Sequence, residues 1–237
     1  TMEDAFARSS NAVAVRVAEA AGRRYVIRTA RRLGLDAAMA NTSAIALGAY
    51  EVTPLDLAEA YAPFMNRGYS APVHAITAVE TEDGRVIHAR ETPPRTRVLA
   101  APVMTGMEQL FTAVVERGTG RAAQVPGRVV RGKTGTSNDF RDAWFAGWSG
   151  GLAAVVWTGN DDGSPTERAV GGAGPARIFA DFIASAPVFE TPAIAFQPQP
   201  EPAPRTVAAP AREDEADLIG ALLSDLSRAD GAAQPEN

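Results

Sequence analysis

Residues 131–148 read RGKTGTSNDFRDAWFAGW and hold the only lysine of the 237-residue chain, Lys133, set between Gly132 and Thr134. The flanking composition is that of a strand, yet Gly132 and Gly135 weaken a strand and leave nothing to pack. A glycine in such a place marks close approach by a ligand or another backbone. An extended peptide laid along an edge strand needs that clearance, and Gly135 fits the use. The hydroxyls of Thr134 and Thr136, with the ammonium of Lys133, form a donor set suited to a carboxylate, since charge-assisted hydrogen bonds are the stronger ones. These residues alone predict a peptide ligand that carries an acid.

Working outward, DAWFAGWS (142–149) and GLAAVVWTGN (151–160) continue the strand pattern after RVVRGKTGT (128–136), with Gly150 and Gly151 as the turn between them. The three predict an antiparallel sheet. A helix opening at Pro175 is expected to bury Ile178, Phe179, Phe182 and Ile183. Upstream, SSNAVAVRVAEAAG (9–22) has serines at the position of a helix cap, Val13 and Val17 four apart, and Gly22 as a stop. Thr53-Pro54 opens a second helix toward Gly68, which Pro63 should kink or shorten. A third runs over 102–117 with Met107, Leu110, Phe111 and Val114 on one face, and Gly118 ends it. Between them, VHAITAVE (73–80) and RVIHAR (85–90) predict a surface hairpin about Asp83-Gly84. The fold class is therefore α/β of the α+β kind, an antiparallel sheet flanked by helices.

Composition narrows the chemistry. With no cysteine and only two histidines, His74 and His88, no closed metal shell is expected, and neither is a cofactor. No run is long and apolar enough to be a membrane span, and the first residues lack a signal-peptide pattern. Residues 1–190 balance in charge, so the net charge of -5 comes from residues 191–237. Arginines read as scattered singly leave no nucleic-acid footprint. Prolines crowd residues 187–212, which predicts a linker. Residues 213–237 predict an acidic tail, partly helical or disordered, with Ile219, Leu222, Leu223 and Leu226 at helical spacing and no partner assigned.

Ser9-Ser10-Asn11 at a helix start, Lys133-Thr134-Gly135-Thr136 on a later strand, and FRDAWFAGW directly after it resemble a penicillin-binding transpeptidase. VTPLDLAEAYAPF, AVVERGTGRAA, VVWTGNDD and GGAGPARIFADF are similar to the class A, bifunctional members. The resemblance implies a penicillin-binding, serine β-lactamase-like fold over residues 1–186, incomplete at its N-terminal side. It implies that Ser9 relays a proton toward the leaving amine and that Asn11 grips the substrate amide. Lys133 would keep the site electropositive, and Thr134 and Thr136 would hold the terminal carboxylate of a D-alanyl-D-alanine stem peptide. The backbone N–H of Thr136 would form half of an oxyanion hole. Read alone, Ser9 and Ser10 fit helix caps and Asn11 fits a turn. Arg141, Asp142 and Trp144 are assigned support: an ion pair between the first two and an indole packed beneath the strand. Gly118, Thr119 and Gly120 read as a mobile turn near the cleft, Gly159-Asn160-Asp161 with Asp162 as a turn at a strand end, and both histidines as hairpin surface or packing residues.

The family's first motif, Ser-x-x-Lys, carries the nucleophile and the lysine that activates it. No such pair occurs here, since position 130 before the single lysine is Val130. The nucleophile is thus expected upstream of Thr1, together with the glycosyltransferase domain and membrane anchor typical of the class, and the chain alone is expected to be inactive and poorly stable. The function implied is peptidoglycan DD-transpeptidation, with stem peptides as substrates and β-lactams as covalent inhibitors, on the periplasmic face of the bacterial inner membrane. A carboxypeptidase or β-lactamase-type hydrolase on the same scaffold remains open, as does a non-catalytic binding module.

Overall fold

The computed structural model describes residues 1–91 and 93–189. Along them run α1 (Met2–Ala7), α2 (Asn11–Ala21), α3 (Arg23–Arg32), α4 (Pro54–Met65), β1 (Ala78–Glu80), β2 (Val86–Ala89), α5 (Ala101–Arg117), β3 (Arg131–Thr136), β4 (Asp142–Ser149), β5 (Leu152–Gly159) and α6 (Gly174–Ser185). The linker and tail anticipated over 187–237 fall, beyond residue 189, outside the described residues, as do Ile219, Leu222, Leu223 and Leu226.

β3, β4 and β5 form one antiparallel sheet in that order, with Lys133 opposite Ala146 and Trp144 opposite Trp157. Gly150 and Gly151 both adopt positive φ in the β4–β5 turn, the backbone that glycine tolerates. Strand β3 starts at Arg131 rather than Arg128. Pro126-Gly127 makes a tight turn first, with the Arg128 N–H donating to the Val125 carbonyl at 3.1 Å. β1 and β2 form the separate, wholly exposed hairpin, with Gly84 at φ 81° in its turn.

Each face of the large sheet buries a different set of side chains, because successive strand residues point to opposite sides. On one face Phe145 meets Phe179 of α6 at 4.8 Å between ring centroids, in a core shared with Val115, Val130 and Ile183. On the other, Trp148 packs on Phe111 of α5 at 5.1 Å and stacks on Phe64 of α4 at 5.9 Å. Tyr61 of α4 also joins that cluster, and burial pushes its phenol well above the usual tyrosine range.

Two expectations are corrected. In α6, Phe179 and Ile183 are fully buried, but Ile178 and Phe182 are each 49% exposed. A turn of about 100° per residue aligns Pro175, Phe179 and Ile183 on one stripe and rotates Ile178 and Phe182 off it. The arginines are not all scattered: α3 gathers Arg23, Arg24, Arg28, Arg31 and Arg32, and none of its residues is buried. Helix α4 ends at Met65, two residues past Pro63 and short of Gly68.

Candidate active site

The short helix α1 is built to end at Ser9. Its start is closed by a capping box, in which the Thr1 hydroxyl accepts from the Asp4 N–H at 3.1 Å and donates to the Asp4 carboxylate at 2.7 Å. That hydroxyl, more than the nearby Arg117, holds the Asp4 carboxyl below its usual range. Arg117, in the last turn of α5, donates to Asp4 at 2.8 Å and to Glu3, pinning α1 against α5.

The exit of α1 is a Schellman motif. The Ser10 N–H donates back to the Ala5 carbonyl at 2.9 Å and the Ser9 N–H to the Phe6 carbonyl at 3.0 Å, with Ser9 left-handed at φ 55°. A side chain in that region costs about 1–3 kcal/mol, and such strain concentrates at functional sites. Ser9 therefore closes the preceding helix. Ser10 stands at the cap position of α2, but its side chain makes no cap hydrogen bond.

The left-handed kink aims Ser9 at β3. Lys133 Nζ donates to Ser9 Oγ at 2.7 Å and to the Thr134 carbonyl at 2.9 Å, across 124 residues of sequence in the first case. Removal from water pulls the Lys133 ammonium down to about 8. Among the described residues it has no ion-pair partner. A charged lysine held by a hydroxyl and a carbonyl, with no carboxylate beside it, leaves its charge for an anionic ligand.

Strand β3 is an edge of its sheet. Its neighbour Ser137 pairs its N–H with the Asp142 carbonyl at 2.9 Å. Counting back along an antiparallel ladder, the N–H groups of Gly135 and Lys133 face β4, and those of Thr136 and Thr134 face the open edge. The bare backbone at Gly135 is used twice. A side chain there would press on Trp144, while Gly171 lies so close over Gly135 and Trp144 that a Cβ on Gly171 would strike both backbones. The close approach at Gly135 is thus made by the chain itself, in addition to the open edge beside it. The Gly171 N–H also donates to Thr136 Oγ1 at 3.2 Å.

Thr119 enters the site although its sequence context reads as a turn. Its Oγ1 lies 2.6 Å from Thr134 Oγ1 in a shared hydrogen bond, and its N–H donates to the Ala7 carbonyl at 3.0 Å. Its flanking glycines allow this, since a Cβ on Gly118 would collide with the Ala7 carbonyl. The sequence signals were a hydroxyl between two glycines at a helix end and its place in the AVVERGTGRAA stretch.

Asn11, in the first turn of α2, is exposed two residues from Ser9. Arg141 and Asp142 do not pair. Arg141 donates to the Gly163 carbonyl at 2.6 Å and lies 3.9 Å from Asp139, whereas Asp142 accepts from the Trp157 indole at 2.9 Å. Arg141 still has helical backbone angles while Asp142 begins β4, and each side chain has its own partner. Trp144 does pack beneath the strand, 6.1 Å from Trp157. Asn160 and Asp162 brace the turn after β5, and both histidines are exposed.

The family model of the penicillin-binding protein transpeptidase domain matches residues 1–184. The chain belongs to that family. It is 38% identical over 161 residues to penicillin-binding protein 1A of Aquifex aeolicus, covering 68% of this chain and 22% of that protein. With penicillin-binding protein 1B of Escherichia coli it shares 35% over 187 residues, covering 77% and 22%. The crystal structure of penicillin-binding protein 1A from Haemophilus influenzae superposes with a TM-score of 0.66 at 26% identity, over 80% of this chain and 35% of that one. The chain spans about a fifth of the length of the two curated relatives. The transpeptidase fold, with its antiparallel sheet and flanking helices, is therefore the fold of this chain.

Proposed function

We propose that residues 1–186 supply the carboxylate-binding and proton-relaying half of a peptidoglycan DD-transpeptidase site, with the serine nucleophile contributed by a Ser-x-x-Lys segment of the whole protein. The observation that carries this reading is the 2.7 Å hydrogen bond from Lys133 Nζ to Ser9 Oγ, which joins two distant motifs at one open strand edge.

Each residue has a role that its position suits. An extended D-alanyl-D-alanine end lies along β3, where Thr134 and Thr136 hydroxyls take its terminal carboxylate and the Lys133 charge favours it. The outward N–H of Thr136 stabilises the oxyanion, an interaction whose loss costs on the order of 10²- to 10³-fold in such sites. Ser9, polarised by Lys133, passes a proton to the leaving D-alanine amine. Asn11 binds the peptide amide. In the second half-reaction the amine of a neighbouring stem peptide attacks the acyl-enzyme, which cross-links the wall and regenerates the serine. β-Lactams enter the same groove and stop at the acyl stage. The work is thus at the cell wall, outside the cytoplasm; no described helix is long and apolar enough to cross a membrane.

The test is covalent labelling by a fluorescent penicillin. The complete protein takes the label, and Lys133→Ala loses it; this chain alone stays unlabelled. Labelling of this chain alone would overturn the division of the site, and undiminished labelling of Lys133→Ala would overturn the role of the lysine.

A further inference from the structure

A hydroxyl carries one proton, and this fixes what Thr134 can do. To donate to a ligand carboxylate, Thr134 cannot also donate to Thr119, yet the two oxygens are 2.6 Å apart and must share a proton. We propose that Thr119 is a positioning residue, whose hydroxyl donates to Thr134 Oγ1 and so leaves the single Thr134 proton for the carboxylate of the substrate. This rests on the reading of the site given above.

Thr119 is held for that task from three sides. Its N–H donates to the Ala7 carbonyl at 3.0 Å, in the helix whose exit sets Ser9. Its own carbonyl lies against Gly172, where a Cβ would collide with it. The Gly120 N–H donates to the Val114 carbonyl at 2.9 Å, fixing the far side of the loop to α5. The Gly172 position also lies close to the Thr134 methyl, and Gly171 donates to Thr136. Residues 118–120 and 171–172 thus bracket β3, and within the bracket Thr119 is the side chain that touches a carboxylate-binding hydroxyl.

The experiment compares Thr119→Val and Thr119→Ser in the complete protein, with Thr119→Ala as a second loss variant should the valine form not fold. Benzylpenicillin and its methyl ester are the probes. For Thr119→Val or Thr119→Ala, the dissociation constant of benzylpenicillin before acylation should rise about threefold to tenfold, the worth of the one hydrogen bond that orients the Thr134 hydroxyl toward the carboxylate. Acylation from the bound complex should be nearly unchanged, Thr119→Ser should behave as wild type, and the ester should bind equally to all forms. An equal penalty on the ester, or a serine variant as weak as valine, would overturn the proposal, since either indicates loop damage rather than proton direction. If the wild-type complete protein takes no penicillin at all, the functional reading fails. The Thr134 side-chain couplings in the full 237-residue chain, measured by NMR, then decide this proposal separately: they should change in Thr119→Val and stay constant in Thr119→Ser, and unchanged couplings in both refute it.

Discussion

Residues 8–50 and residues 98–185 are built differently. The later segment holds Phe145, Phe179, Ile183, Val114 and Val115 with almost no exposure, while Ala18 is the only buried residue of the earlier one. Yet the candidate site takes Ser9 from the loosely packed segment and Lys133 from the dense one. Burial of apolar surface fixes the strand to within the tolerance of a close-packed core. Ser9 is fixed by the packing of Phe6 on Phe111 and of the buried Ala7 just before it, and by polar links: a helix exit, the Arg117 clamp on α1, and the hydrogen bond from Lys133 itself.

The largest expected break of this contrast is Phe179→Ala, which empties a fully buried ring site beside Phe145 and should cost about 3–5 kcal/mol in denaturant unfolding. Its counterpart in the loose segment, Tyr25→Ala, replaces a side chain 56% exposed and should stay within about 0.5 kcal/mol. Equal costs would abolish the distinction.

Lys133 sharpens the contrast through pH. Its folded value of about 8 lies below the ordinary 10.5, so between those values the unfolded chain holds more protons and folding stability should rise with pH. The destabilisation is fully present below pH 8 and gone above 10.5, and unfolding curves of Lys133→Met should lack that rise. Binding of a carboxylate ligand should move the opposite way, weakening as the ammonium loses its proton through pH 8.

Only a small global effect is expected from Arg117→Ala. Its pairs with Glu3 and Asp4 are exposed at both ends, and such pairs contribute about 0.2–1 kcal/mol each. The local effect should be larger: amide exchange at residues 8–10 should quicken while exchange in β4 stays unchanged. Uniform acceleration through both would mean that α1 is held by something other than this clamp.

Much of the dense half was legible beforehand. Strands 142–149 and 152–159, the glycine turn between them and the helix ending at Gly118 follow from strand composition, turn residues and a 3.6-residue period. The error in α6, where Ile178 and Phe182 face outward, arose because four neighbouring apolar residues fit two adjacent stripes and only the position of the sheet chooses between them. Helix α1 is not legible in the sequence because six residues hold too little periodicity, nor is α3, whose arginines mask its apolar positions. In the site, Lys133, Thr134 and Gly135 were legible from the cost of glycines in a strand. The contact of Thr119 with Thr134 was not, since GTG at 118–120 reads locally as a turn near the cleft and names no partner for its hydroxyl.

From its residues, the chain determined that a lone lysine and two hydroxyls would stand on a strand thinned by glycine, and that this strand would belong to an antiparallel sheet. Those are consequences of composition and period along the backbone. Which hydroxyl meets the lysine, which threonine shares a proton with Thr134, and which glycine presses on Gly135 were decided only by the tertiary structure, because each pairs atoms that dozens of residues of chain separate. Only packing brings such atoms within the roughly 3 Å over which a proton is shared.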